Sequence, residues 1–135
     1  MSDFTYRKPS AKNIEAVTLY LPLFEKGTEV DSYATRGGAV DYTDAVHQFV
    51  NKLYQEGFVY GFDWGSWLNK VGEEYVRNKD NIRSADILTI QRMLTAIVRA
   101  DRFNDGLLMT MIDDGIIVAI LRRLEEIRKQ MLQND

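Results

Sequence analysis

Ile87-Leu88-Thr89-Ile90-Gln91-Arg92-Met93-Leu94-Thr95-Ala96-Ile97-Val98-Arg99-Ala100-Asp101-Arg102-Phe103 is the stretch that decides how this chain folds. Ile87, Ile90, Leu94, Ile97 and Val98 recur at the three- and four-residue intervals that gather side chains on one face of an α-helix. Ser84 reads as the N-cap, and Asp86 falls in the first turn, where a negative charge suits the helix dipole. The stripe runs into Arg99-Ala100-Asp101-Arg102-Phe103 and stops near Gly106.

The same period continues on both sides. Downstream, a short helix ends at Asp113 and Gly115 interrupts it. A final helix starts at Ile116, with Ile117, Ile120, Leu121, Leu124, Ile127 and Met131 facing inward. On its solvent side Arg122 with Glu126, and Glu125 with Lys129, have i,i+4 spacing. Upstream, Val46, Phe49, Val50, Leu53 and Tyr54 form a stripe over residues 43–56, and Gly57 fits the left-handed position that closes a helix. Asp63 caps a helix over 64–78 that turns Trp67, Leu68, Val71 and Tyr75 inward. The first helix spans 11–25 behind the cap Ser10. Pro22 should kink or break it near Leu21, and Gly27 ends it. Residues 28–41 read as a long loop hinged on Gly37-Gly38. Residues 58–62 read as an aromatic connector, with a short strand as the alternative. The expected fold is all-α: a compact bundle of five to six helices in a single domain over 1–135. Residues 1–9 are expected to be a flexible arm, and the 87–103 and final helices the central pair.

Composition narrows the chemistry. Hydrophobic residues make up 45% and charged residues 27% of the 135 positions, which suits a globular core and argues against disorder. With no cysteine, disulfides and a cysteine nucleophile are excluded. With one histidine, His47, a histidine-rich zinc site is excluded too. The opening residues lack the apolar run of a signal peptide, and no apolar run approaches the ~20 residues that span a bilayer. A cytoplasmic protein away from membranes is expected. The net charge is −3, so no general nucleic-acid surface is expected. Residues 68–135 are rich in arginine, and a local cluster could still grip one anion.

The Arg-Ala-Asp-Arg-Phe run is where chemistry could sit. With Leu94 at the centre of the buried stripe, Asp101 falls within about 20° of it. Arg102 lies on the flank, and Arg99 and Phe103 lie near the opposite face. A carboxylate at a core position needs a donor. Arg122, Tyr75, Trp64 and a backbone N–H are the candidates. Asp101 then either ties one helix to its neighbour or orients Arg99 or Arg102 toward phosphate or carboxylate. Trp64 and Trp67, one turn apart, either fill the core or stack on a flat ligand. His47 reads as a half-buried packing residue. Asp113-Asp114 reads as an acidic pair at a helix start rather than a metal site. No P-loop, dinucleotide-binding turn or GxSxG motif is present.

The order Phe62-Asp63-Trp64-x-x-Trp67, Val98-Arg99-Ala100-Asp101-Arg102-Phe103, Gly106-x-Leu108 and Gly115-Ile116-Ile117-x-Ala119-Ile120-Leu121-Arg122-Arg123-Leu124 resembles a bacterial family of small proteins known as a domain of unknown function. The likeness covers about residues 19–128, and Arg-x-Asp/Glu-Arg-Phe followed by Gly is its most specific part. It is also similar to a segment found behind ADP-ribose-binding macro domains, which by analogy implies a role near nucleotide chemistry. The family pattern has Cys and His where this chain has Asn104, Leu107 and Ile116. What remains, Arg99, Asp101, Arg102, Phe103, Asp105 and Gly106, suits binding or architecture better than bond-breaking. The expected function is therefore a non-catalytic interaction or regulatory module that pairs with itself or with another protein. The alternative is a nucleotide or ADP-ribose-type ligand domain, with hydrolysis as an option, using Arg99, Asp101, Arg102, Phe103, Trp64, Trp67 and Arg122. No catalytic residue, cofactor or metal is assigned.

Overall fold

A computed structural model describes residues 7–25, 33–37, 39–103 and 106–134. The chain is mostly helical, with one two-stranded sheet. Its elements are α1 (Ala11–Thr18), α2 (Leu21–Phe24), β1 (Tyr33–Arg36), β2 (Ala39–Tyr42), α3 (Asp44–Gln55), α4 (Trp64–Trp67), α5 (Glu73–Arg77), α6 (Ile87–Asp101), α7 (Leu107–Asp113) and α8 (Ile116–Gln133). A π turn, Leu68–Gly72, joins α4 to α5, and a 3-10 turn, Lys79–Ser84, follows α5.

Local chemistry sets most boundaries. The Ser10 hydroxyl accepts the Asn13 N–H, and the Asn13 side chain returns the bond to the Ser10 N–H, closing a capping box on α1. The helix breaks at Leu19–Tyr20, and Pro22 sits in the first turn of α2, where its missing N–H costs nothing. The expected stop at Gly27 lies outside the described residues. Asp63 caps α4 through the Ser66 N–H. Gly57 takes a left-handed φ of 84° after α3, and Gly115 one of 79° between α7 and α8.

Three expectations are corrected. The N-cap of α6 is Asp86, which accepts the Thr89 N–H at 2.8 Å, because Ser84 is taken up in the 3-10 turn. Val71 is exposed rather than inward. The π turn shifts the helical phase so that Gly72, not Val71, lies under the Trp67 ring. The 28–41 loop contains a β-hairpin, with Tyr33 opposite Tyr42 and Arg36 opposite Ala39. Its two-residue connection needs a positive φ, which Gly37 supplies at 54°. Residues 58–62 form no strand: Phe58, Val59 and Tyr60 are buried as an irregular segment against α6. There the Thr95 hydroxyl donates to the Phe58 carbonyl and accepts the Tyr60 N–H, which stands in for a missing ladder.

The core is built from Ile14, Val17, Phe49, Leu53, Phe58, Ile82, Ile90, Leu94, Ile117, Ile120, Leu121 and Leu124. α8 packs chiefly against α1 and the 3-10 turn, and also touches α7, α2 and α6. α6 rests mainly on α7 and on the α4–π segment, so α6 and α8 meet without being each other's main partner. α6 is buried round most of its circumference, and Gln91 and Thr95 are its fully buried polar residues. Gln91 Nε2 donates to the Gly57 carbonyl at 2.9 Å and to the Arg7 carbonyl at 3.1 Å. Its Oε1 is buried with no donor among the described residues. With Pro9 also buried, the chain is tied down at Arg7 and Pro9, ahead of α1. No helix among the described residues is long and apolar enough to cross a membrane.

Candidate functional site

Asp101 ends α6 half-buried, as the wheel places it. Its Oδ1 accepts the Leu108 N–H at 2.9 Å and the Tyr42 hydroxyl at 2.9 Å. That hydroxyl in turn accepts the Met109 N–H at 3.0 Å. Leu108 and Met109 lie in the first turn of α7, where helix N–H groups have no partner within the helix. The N-cap of α7 is Gly106, with φ 98° and no side chain to cap with. Asp101 and Tyr42 therefore supply from two other elements the cap that Gly106 cannot. Of the donor classes expected for Asp101, a backbone N–H is the one used. Tyr42 is a donor that the sequence does not single out.

Tyr33, opposite Tyr42 in the hairpin, reaches the other end of α7, where its hydroxyl donates to Asp113 Oδ2 at 2.7 Å. The two tyrosines straddle that helix. The bond to the Asp113 carboxylate raises the pKa of Tyr33, with burial and repulsion from the same charge adding to it.

The arginines of the run turn away from this corner. Arg102 Nη2 donates to the Tyr54 hydroxyl at 3.3 Å, and the Arg99 guanidinium lies 5.9 Å from the centre of the same ring. Tyr54, on α3, thus seats both cations. Phe103 follows with 83% of its surface exposed. Its ring is near-parallel to Trp64, at 19°, with centroids 6.5 Å apart. Trp67, one turn on, belongs to a separate aromatic group. It meets Phe62 edge-on, Phe62 stacks on Tyr60, and Arg92 lies over Phe62. Arg122 is remote from all of these and pairs with Glu25 at 3.1 Å, not with Glu126. Glu125 pairs with Arg128, not Lys129.

The candidate residues therefore divide. Arg99, Arg102, Phe103 and Trp64 share one edge of the molecule, Asp101 sits behind them as a cap, Trp67 packs inward, and Arg122 lies elsewhere. A shallow hollow of about 230 Å³ separates Asp101 and Arg102 from α3, with Tyr42, Asn51 and His47 on its wall. His47 is exposed and meets the Tyr42 ring edge-on at 6.4 Å. Tyr42 and Tyr54 organise this edge, and sequence reasoning misses both roles. Only the place of Tyr54 in the α3 stripe carries any signal.

Fold and edge together define a small, mostly helical domain with a hairpin-clamped corner and an exposed arginine–aromatic rim. The chain belongs to a family of unknown function (DUF6508), whose model matches residues 9–130. No curated protein and no solved structure matches it.

Proposed function

We propose that the domain is a non-catalytic interaction module that docks a protein partner on the rim formed by Trp64, Arg99, Arg102 and Phe103. The observation that carries this reading is the 83% exposure of Phe103 beside a half-buried tryptophan. Burying a phenylalanine side chain contributes about 1.5–3 kcal/mol, a gain that folding leaves unused here. Aromatic residues and arginine are the types that dominate interface energetics. The two guanidiniums, seated on Tyr54, select a partner segment that carries carboxylates next to an apolar side chain. Asp101 serves this surface indirectly, by fixing the corner from which Phe103 projects.

The test compares quantitative enrichment from source cells on wild-type protein and on the Phe103→Ala and Arg102→Glu variants. A partner retained by wild type, lost by both variants and bound through an acidic–apolar segment supports the reading. Identical profiles for all three proteins sink it.

A second reading has one observation in its favour. The Trp64 and Phe103 rings are near-parallel, at 19° with centroids 6.5 Å apart, and form an aromatic pair on which a flat ring could pack, with Arg99 and Arg102 from the same run as candidates for its anionic substituents. This is the nucleotide or ADP-ribose-type alternative. A thermal-shift panel of nucleotides and ADP-ribose decides it, since a ligand at 100 times its Kd adds about 2.7 kcal/mol of stability. No shift removes this reading and leaves the first intact.

A further inference from the structure

A second concavity shares no residue with the rim. It is a cleft of about 750 Å³ between the end of α2, the 3-10 turn, the α7–α8 corner and the outer face of α8. That volume falls within the range of small-molecule sites. Phe24, Ile112, Val118 and Ala119 give it an apolar lining, and four cations, Lys79, Arg83, Arg122 and Arg123, stand around it.

The cations are held in two different ways. Arg122 and Arg83 are exposed and face carboxylates, Glu25 at 3.1 Å and Asp80 at 4.0 Å. Such surface pairs contribute little and are easily exchanged. Lys79 and Arg123 are instead fixed by neutral acceptors. Lys79 Nζ donates to the Asp114 carbonyl at 3.0 Å, and Arg123 Nε donates to the Ala85 carbonyl at 2.8 Å. Among the described residues, the one carboxylate that pairs with Arg123 is the exposed Glu126, 3.6 Å away. A carbonyl orients a cation without cancelling its charge, so Lys79, which pairs with no carboxylate among the described residues, is placed and still wants an anion, while Arg123 shares its charge with Glu126 and Asp86. Lys79 passes close over Gly115: a Cβ there would lie 3.0 Å from Nζ. Lys79 retains two further N–H donors, and Arg123, with Nε on the Ala85 carbonyl and Nη1 facing Glu126, offers Nη2.

We propose that this cleft binds a small organic anion, with a phosphate or carboxylate head held by Lys79 and Arg123 and an apolar body on Val118 and Ala119. The acids that line the cleft, Glu25, Asp80, Asp113 and Glu126, equal its four cations in number, so they disfavour large polyanions and set the preference for one compact anionic group.

The experiment follows backbone amide NMR signals of Gly115 and Ala119 during separate titrations with phenyl phosphate, benzoate, inorganic phosphate and benzyl alcohol. The expected result is saturable shifts with phenyl phosphate, benzoate or both, which also identifies the preferred head group. Inorganic phosphate should bind more weakly, and benzyl alcohol should leave the signals in place. Lys79→Gln should weaken binding about tenfold, the loss of one charge-assisted hydrogen bond. Lys79 is exposed, so this variant should fold. Absence of shifts with both organic anions overturns the proposal. So does equal affinity for benzyl alcohol, or an unchanged affinity in Lys79→Gln.

Discussion

The Tyr42 hydroxyl and the Asp101 carboxylate, 2.9 Å apart, jointly cap the first turn of a helix to which neither belongs. Removing either partner leaves a half-buried N–H of α7 without an acceptor. Asp101→Ala is expected to cost about 1–3 kcal/mol in urea denaturation and Tyr42→Phe about 1 kcal/mol. Asp101→Asn keeps an oxygen for the Leu108 N–H and should fall between Asp101→Ala and wild type. The double variant should lose less than the sum of the singles, because both act on one turn. Additive losses would show that the two caps work separately. Tyr33→Phe, at the exposed far end of α7, should change little.

Phe103 and Trp67 separate what binds from what holds the fold. Phe103→Ala is expected to stay within about 0.5 kcal/mol of wild type, because the ring is solvated already. Trp67→Ala should cost about 3 kcal/mol, since that ring packs on Phe62 and Gly72. Thermal melts of the two variants check this directly. A large loss of stability in Phe103→Ala would mean that the rim is architectural.

Gly72 inverts a familiar rule. Replacing a helical glycine by alanine normally gains about 1 kcal/mol. Here the new Cβ would sit 2.6 Å from a Trp67 ring carbon, and the ring would have to move against its neighbours. Overpacking of this kind costs about 1–3 kcal/mol, so Gly72→Ala should be destabilised and its tryptophan near-UV circular dichroism altered. A more stable variant with an unchanged spectrum would contradict the contact.

Asp86 gives α6 a pH signature. Hydrogen bonds from Thr89, through its side chain and its backbone N–H, hold the Asp86 carboxyl below its usual range, and Arg92 and Arg123 add attraction. A carboxyl depressed in the folded state stabilises above its unfolded value, about 3.9, and this contribution fades as pH falls through the lower folded value. Asparagine at this position would cap without titrating. Asp86→Asn should therefore be slightly less stable than wild type at neutral pH, and the gap should narrow at about pH 3. A gap that widens on acidification would reverse the assignment.

Features confined to a few neighbouring residues are legible in the sequence alone. Ser10, Asp63, Gly57 and Gly115 act within one helical turn, so their identity and spacing announce them. The hairpin is not legible, because its strands are four residues each and Gly37-Gly38 suits a hinge as well as a turn. The π turn leaves no period in the sequence, so a regular helical wheel turns Val71 the wrong way. The same wheel finds where Asp101 lies but not what it meets, since Tyr42 is 59 positions away on a short strand. Adjacency along the chain draws the arginines together. In space Tyr54 collects Arg99 and Arg102, while Arg122 answers to Glu25.

The Gln91 amide that clasps the Arg7 carbonyl bears on where this domain can be cut. The family match opens at residue 9 and the first helix at Ala11, yet one acceptor of a wholly buried side chain lies before both. A chain trimmed to Ala11 would lose the Ser10 cap of α1 and one of the two acceptors of the Gln91 amide, leaving that amide on the Gly57 carbonyl alone, beside an Oε1 that has no donor among the described residues. The portable unit, the piece that could be fused, swapped or grafted without a penalty, begins no later than Arg7.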